Sequence, residues 1–395
     1  MRLAGKAVAV YAAVILCVIV AGFLAQRIFG GGTVRSPGRA PSAGETEGRE
    51  TAAIGSKPSQ GQGAHGGGQG QGQQGGVTFA AVGDTMLGNS PELPSDPGSY
   101  LDHVKGQLSG DVVFGNLEGT LTEVSDSPKC GGAPSGDCYA FRTPPSYAHY
   151  LAAAGFTVMN DANNHSYDFG PEGLEQTIAA LHKAGIAQDG LPGEITVVKA
   201  GGEKVAFLGF APYSTTASLL DIPAARSLIR RATRRAEIVV VAIHAGAEGT
   251  AAQHLTGGEE TYLGEDRGDP EAFAKMAVRA GADLVLGSGP HVLRAMEIYR
   301  GRLIAYSLGN FSGFHNFDTE GVLGASAVLH ATLDPDGAFR SGRVASVRLI
   351  EAGQPVPDPS EEGAQIIADL SREDLGGAAV KIGSEGRILG TLGGG

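Results

Sequence analysis

Beyond residue 77 the chain alternates short apolar runs with amphipathic stretches. Residues 77–82, 111–117 and 155–159 are apolar runs that end at Gly83-Asp84, Glu118 and Asn160. Residues 237–243 form a nearly unbroken β-branched run, as in a strand buried on both faces. Residues 195–198 and 205–210 flank Gly201-Gly202, and 295–299 and 303–306 flank Arg300-Gly301-Arg302; both patterns predict hairpins. Further strands are predicted over 283–286, 324–333 and 343–350. Leu174, Ile178 and Leu181 share one face of a helix predicted over 171–184, with Pro171 suited to its first turn. An Arg-rich helix is predicted over 218–236, and another from Asp269-Pro270 to residue 279. No internal repeat is visible. Alternating α and β units with added hairpins predict a layered α/β domain, with one mixed sheet or two sheets.

Before residue 77 the pattern is different. Residues 7–25 carry no charge, Asn or Gln, and these 19 residues, at about 1.5 Å each, nearly cross a hydrocarbon core of about 30 Å. Arg2 and Lys6 precede the stretch, which predicts a cytoplasmic N-terminus. A retained single-pass anchor fits this length. A cleaved signal is the alternative, but Phe23-Leu24-Ala25 is a poor cleavage site and Val20-Ala21-Gly22 only a passable one. Residues 30–76 show no apolar periodicity and hold 16 Gly in 47 positions, which predicts a flexible Gly/Gln/Ser linker. Either reading places the rest of the chain outside the cytoplasm, anchored at the cell membrane or secreted after cleavage.

Composition narrows the classes. The 395 residues include 63 Gly without a strict Gly-x-y period, so the chain is not collagen-like. Three Cys exclude a disulfide-built mini-scaffold. A net charge of −12 argues against nucleic acid as a partner. Cys130 and Cys138 bracket a turn-rich loop. In an oxidising compartment they would close a small disulfide loop; otherwise they are two surface thiols.

The candidate chemistry lies at the ends of the predicted strands. Asp84, Glu118, Asn164-His165, His244 and His291 each follow or end an apolar run. In α/β folds, ligand sites gather outside such strand ends. Taken singly, each has a plainer role: a turn cap for Asp84, a solvated charge for Glu118, a turn for Asn164, a core or loop imidazole for the histidines. Together, mixed carboxylate, amide and imidazole groups predict a divalent metal centre, with Mn, Fe or Zn favoured over Ca. Such an ion polarises a phosphoryl or carbonyl oxygen and lowers the pKa of bound water. A serine-hydrolase motif and a Walker loop are both absent.

At these residues the sequence resembles the CapA family of poly-γ-glutamate capsule biosynthesis proteins, within the metallophosphoesterase superfamily. The stretches that carry the resemblance are Val82-Gly83-Asp84-Thr85-Met86-Leu87-Gly88 and Gly115-Asn116-Leu117-Glu118-Gly119. They continue with Ala162-Asn163-Asn164-His165-Ser166-Tyr167-Asp168-Phe169-Gly170 and His244-Ala245-Gly246-Ala247-Glu248. Gly289-Pro290-His291-Val292 with Glu297, and Tyr306-Ser307-Leu308-Gly309-Asn310-Phe311, complete the set. The resemblance implies a four-layer α/β/β/α sandwich over residues 77–360, after residues 1–29 (tip and anchor) and 30–76 (linker). Residues 361–395 would be a C-terminal extension. It implies Asp84, Glu118, Asn164, His244 and His291 as ligands to one or two metal ions, and His165 with Asp168 as catalytic groups. Glu248, Glu297 and Asn310 would lie behind the ligands or in the substrate pocket. The sequence departs from the superfamily where Met86 stands in place of a histidine, and where Gly289-Pro290-His291-Val292-Leu293 offers one His against the superfamily's Gly-His-x-His. It departs from CapA relatives where Ala245 replaces Trp and Arg294 replaces Gln.

The expected function is that of an anchored, extracytoplasmic metal-dependent hydrolase acting on a phosphoester or an anionic polymer. The alternative is a non-catalytic subunit working with capsule synthase or export membrane proteins.

Overall fold

The computed structural model describes residues 75–129 and 138–393. In chain order the first elements are β1 (Val77–Thr85), β2 (Val112–Leu117), β3 (Thr120–Leu121), β4 (Arg142–Thr143) and α1 (Ala148–Ala154). Then come β5 (Val158–Asn160), α2 (Gly170–Lys183), β6 (Ala187–Asp189), β7 (Thr196–Ala200), β8 (Glu203–Phe210), α3 (Ile222–Ala232) and β9 (Ile238–His244). A small ribbon, β10 (Thr261–Tyr262) and β11 (Glu265–Asp266), precedes α4 (Pro270–Ala280), β12 (Leu284–Ser288), β13 (Met296–Tyr299), β14 (Arg302–Ala305) and β15 (Asn310–Ser312). The last elements are α5 (Gly321–Gly324), β16 (Ala325–Leu333), β17 (Phe339–Ile350), β18 (Gln354–Pro357), α6 (Glu362–Leu375), β19 (Val380–Ile382) and β20 (Arg387–Thr391).

Two mixed sheets form. One runs β19-β20-β17-β16-β1-β2-β5-β6, with β15 beside β1 and β18 beside β17; the other runs β13-β14-β12-β9-β8-β7. Period-two alternation decides the layering. Phe79 and Ala81 of β1, and Ile238, Val240 and Ala242 of β9, enter one shared apolar layer. Phe114 stacks on Phe207 across it, ring centres 6.1 Å apart. Ala80 and Val82 turn the other way, onto Leu151 of α1 and Leu181 of α2. Val239, Val241 and Ile243 turn onto Leu228 of α3 and Phe273 of α4. The order is therefore helix, sheet, sheet, helix.

Most predicted elements form within a few residues of their expected bounds. The Arg-rich helix is shorter than expected, because Asp221 caps it, accepting a hydrogen bond from Ala224 N at 3.0 Å. Residues 361–393 are no appendage: β20 pairs with β17, and Ala364, Ile367, Val380 and Ile388 join the layer between the sheets. These strands are too short for an alternating pattern to announce them. No helix among the described residues is long and apolar enough to cross a membrane. The predicted span over residues 7–25 and the linker through residue 74 lie outside the described residues.

A pH-sensitive staple joins β9 to β12. Asp283 Oδ2 accepts from Val239 N at 2.8 Å, and Arg302 Nε lies 3.2 Å from Oδ1. Burial pushes the Asp283 carboxyl up to about 6, against the lowering effects of that hydrogen bond and of Arg302. A raised carboxyl pKa means the folded state binds the proton more tightly, so this contribution falls as pH rises from about 4 through about 6. Asp283→Asn removes the titration. The stability of the wild type relative to this variant is expected to drop by about 2 kcal/mol between pH 4 and pH 7. Urea melts at the two pH values check this; a constant difference would refute it.

Candidate metal centre

The centre lies where parallel strands of both sheets end together. β1, β2 and β5 bring Asp84, Asn116 and Asn160 to adjacent register positions. β9 and β12 bring His244 opposite Ser288. Gly83 lets β1 reach the crossing. A Cβ there would lie 1.9 Å from Gly309 O, the atom that accepts the Asp84 N–H at 2.9 Å. His291 follows β12 with φ of 61°, a left-handed conformation that is costly for a non-glycine residue and clusters at functional sites.

Among the described residues, ligand atoms of Asp84, Glu118 and His244 all lie within 4.8 Å of one another, and all three residues are buried. Asn116 holds the trio: its Nδ2 donates to Asp84 Oδ1 at 2.8 Å and to Glu118 Oε2 at 2.6 Å. His244 Nδ1 lies 3.2 Å from Ser288 Oγ and 3.7 Å from Glu118 Oε2. Glu118 Oε1, Asn164 Oδ1 and His244 Nε2 are buried without a hydrogen-bond partner among the described residues, and Asp84 Oδ2 faces only the His291 imidazole, at 3.1 Å. Buried lone pairs without donors are disfavoured, and a cation is the partner they lack. The residues present therefore fit a divalent ion.

The charges agree with this reading. Burial raises the Glu118 carboxyl well above its usual range, and the Asp84 charge beside it raises it further. Asp84 is itself held low: burial opposes its charge, but His291 outweighs burial through their 3.1 Å contact. Burial also works against the His291 charge, yet Asp84, Glu118 and Glu248 push it up to about 10. His244 is held well below the usual imidazole range by burial, so its ring stays uncharged. A neutral imidazole between two carboxylates is the state that binds metal.

The other expected residues divide. His165 approaches the trio, with Nε2 4.0 Å from Glu118 Oε1. Its Nδ1 lies 2.7 Å from Asp168 Oδ2, and Asp168 also accepts from Phe141 N at 2.7 Å and Lys129 Nζ at 2.6 Å. Asn310 Oδ1 is 2.9 Å from His291 Nδ1, and Glu248 Oε2 is 3.7 Å from His291 Nε2. Glu297 is not brought to the cluster. Its contacts run to the Tyr306 hydroxyl and to Lys275 Nζ, under α4. Along β13, Met296 and Ile298 take the layer between the sheets, so the period-two alternation turns Glu297 to the helix side. Cys138 is disulfide-bonded, while Cys130, its expected partner, lies outside the described residues. The exposed His254 pairs with Asp374, at 2.7 Å.

The family of bacterial capsule synthesis proteins (PGA_cap) matches residues 78–313, a span that holds every candidate ligand described above. The chain belongs to this family. It is 29% identical over 256 residues to the PGA biosynthesis protein CapA of Bacillus subtilis, a match covering 60% of this chain and 63% of the relative. It is 30% identical over 259 residues to the capsule biosynthesis protein CapA of Bacillus anthracis, covering 60% and 59%. The match thus spans less than two thirds of each relative. Among solved structures, a 5'-nucleotidase precursor from Thermus thermophilus superposes with a TM-score of 0.41 at 13% identity, covering 75% of this chain and 59% of that one.

Several residues that sequence reading passed over, or noted only as departures, shape the centre. Asn116 sits inside a quoted motif, and only the fold shows it linking two carboxylates. Arg294 donates to both Glu260 oxygens, at 3.0 and 2.8 Å, and to Ala252 O at 2.6 Å. This buried fork ties the segment over residues 246–260 to the sheet. Gly246, at φ of 94°, leaves it room, since a Cβ would lie 2.7 Å from Arg294 Nη1. Arg294→Met is expected to cost about 3–5 kcal/mol, because it strands the Glu260 charge. Chemical denaturation checks this, and a loss below about 1 kcal/mol would contradict the fork's role.

Proposed function

We propose that this chain is a membrane-tethered, extracytoplasmic metal-dependent hydrolase of the phosphoesterase type, acting in capsule or cell-envelope polymer metabolism. The convergence of Asp84, Glu118 and His244, with Glu118 Oε1, Asn164 Oδ1 and His244 Nε2 buried and lacking partners among the described residues, carries the reading. These three residues would hold one ion of Mn, Fe or Zn, with Asn164 and His291 at its margin. Bound there, the ion supplies Lewis acidity and a more acidic water. The Asp168 carboxylate only accepts, so it fixes the hydrogen on Nδ1 of His165. Nε2 is then the atom that exchanges a proton with substrate. Lys129 Nζ donates to the other Asp168 oxygen, Oδ1, at 2.6 Å and to Asn164 O at 2.9 Å, which holds Asp168 in place beside the ring.

Metal analysis of the purified full chain, with a panel of phosphodiester and γ-glutamyl substrates, tests the proposal. About one equivalent of metal and an EDTA-sensitive turnover are expected. A chain without stoichiometric metal overturns it.

A second reading is favoured by the family's description, which names synthesis rather than hydrolysis. In it the chain is a non-catalytic subunit beside capsule synthase or export membrane proteins, and the metal site is structural or binds polymer. Deleting residues 1–29 separates the two: an enzyme keeps its turnover in solution, whereas a subunit loses its role in cells.

A further inference from the structure

One cation beside the centre is not used by the reactions above. Arg267 is 1% exposed. Its backbone is fixed twice, with its N–H on Glu260 O at 2.9 Å and its carbonyl accepting from Gly246 N at 3.0 Å. The first of these bonds belongs to the segment that Arg294 anchors, and the second to the turn just after His244.

The guanidinium is only half satisfied. Glu248 Oε1 lies 2.8 Å from Nη1, and Glu265 Oε2, at 3.7 Å, approaches the same nitrogen. Nε and Nη2 are buried with no hydrogen-bond partner among the described residues. These two nitrogens share one edge of the planar group. Their parallel N–H directions match two oxygens of a carboxylate or phosphoryl group. Buried donors without an acceptor are disfavoured, so this edge favours an incoming oxyanion. Its place relative to the centre is set by Glu248, which touches Arg267 through Oε1 and His291 through Oε2, at 3.7 Å. His291 in turn contacts Asp84 at 3.1 Å.

We infer that the Nε/Nη2 edge of Arg267 is an oxyanion subsite beside the metal centre, taking a carboxylate or phosphoryl group of the substrate. The inference rests on the hydrolase reading and deepens it. It also explains how a chain of net charge −12 admits an anionic substrate. The five arginines at 226, 230, 231, 234 and 235 are exposed on and just after α3, which packs on the outer face of the second sheet, so they do not supply this charge.

The test titrates the purified full chain with inorganic phosphate and, separately, with glutarate, each with and without EDTA. Arg267→Lys keeps a charge for Glu248 but loses the fork; Arg267→Met loses both. Wild type is expected to bind at least one anion saturably, and both variants to bind it at least about tenfold more weakly. Binding of phosphate alone assigns a phosphoryl group, glutarate alone a carboxylate, and both a general oxyanion subsite. Wild-type affinity in a folded Arg267→Lys protein overturns the inference. So does the absence of saturable binding in the wild type, which needs no variant to fold. Metal content is measured on the same samples. A metal-free wild type that still binds anions through Arg267 removes the hydrolase reading and leaves the subsite standing.

Discussion

Asp84→Asn is expected to empty the metal centre and to lower turnover by more than the ~100-fold that loss of an outer hydrogen-bond partner costs. The reason is charge rather than shape. Asn keeps an oxygen for the Asn116 amide, so the link now 2.8 Å long can persist. What disappears is one of the two carboxylates that face the His244 imidazole. The metal-free fold should change little in stability. Removing the Asp84 charge relieves its repulsion with Glu118, while His291 loses the partner that holds its proton. The two states therefore separate on metal addition. A ligand at 100 times its dissociation constant stabilises the wild type by about 2.7 kcal/mol and the variant by nothing. Thermal melts with and without added Mn or Zn, alongside metal analysis, read this directly. An Asp84→Asn protein that keeps its ion sinks the assignment of the ligand.

His165→Ala is expected to lower kcat by about 10²–10⁴-fold while the ion stays bound. Its ring is 7% exposed and is positioned by Asp168, whose other contacts reach Phe141 and Lys129. Nothing in the converging trio depends on it, because its Nε2 stands 4.0 Å from Glu118. Kinetics and metal content measured together distinguish a proton-transfer role from a structural one. The same variant addresses the alternative function. If cells carrying His165→Ala make normal capsule and cells carrying Asp84→Asn do not, the centre serves assembly rather than hydrolysis.

The layering was legible because its cause is local. A strand buried on both faces must be apolar throughout, and residues 237–243 show that run in the sequence. Hairpins at Gly201-Gly202 and Arg300-Gly301-Arg302 were legible for the same reason, since turn chemistry is written in adjacent residues. The short strands β6, β15, β19 and β20 were not. Three to five residues carry too little periodicity, and β15 and β20 also pair with strands far away in the chain.

Candidate ligands were legible as polar residues that interrupt or end apolar runs. Glu297 met a similar criterion and went elsewhere, because Met296 and Ile298 on either side of it take the inner layer and leave it the opposite face. Arg267 met no criterion at all. A lone arginine in a polar segment resembles any solvated charge until the fold buries it beside Glu248.

By itself, then, the sequence determined a layered α/β domain, the strand ends at which polar groups gather, and membership of a capsule synthesis family. Periodicity and turn chemistry act between neighbours, so one dimension suffices to read them. Only the tertiary structure decided which of those groups meet. Asp84 and His244 come from different sheets, 160 residues apart in the numbering, and a shared apolar layer brings the two strand ends together. Which atoms are left buried and unpaired, on Glu118, His244 and Arg267, follows from that packing, because a polar group lacks a partner only in relation to everything folded around it.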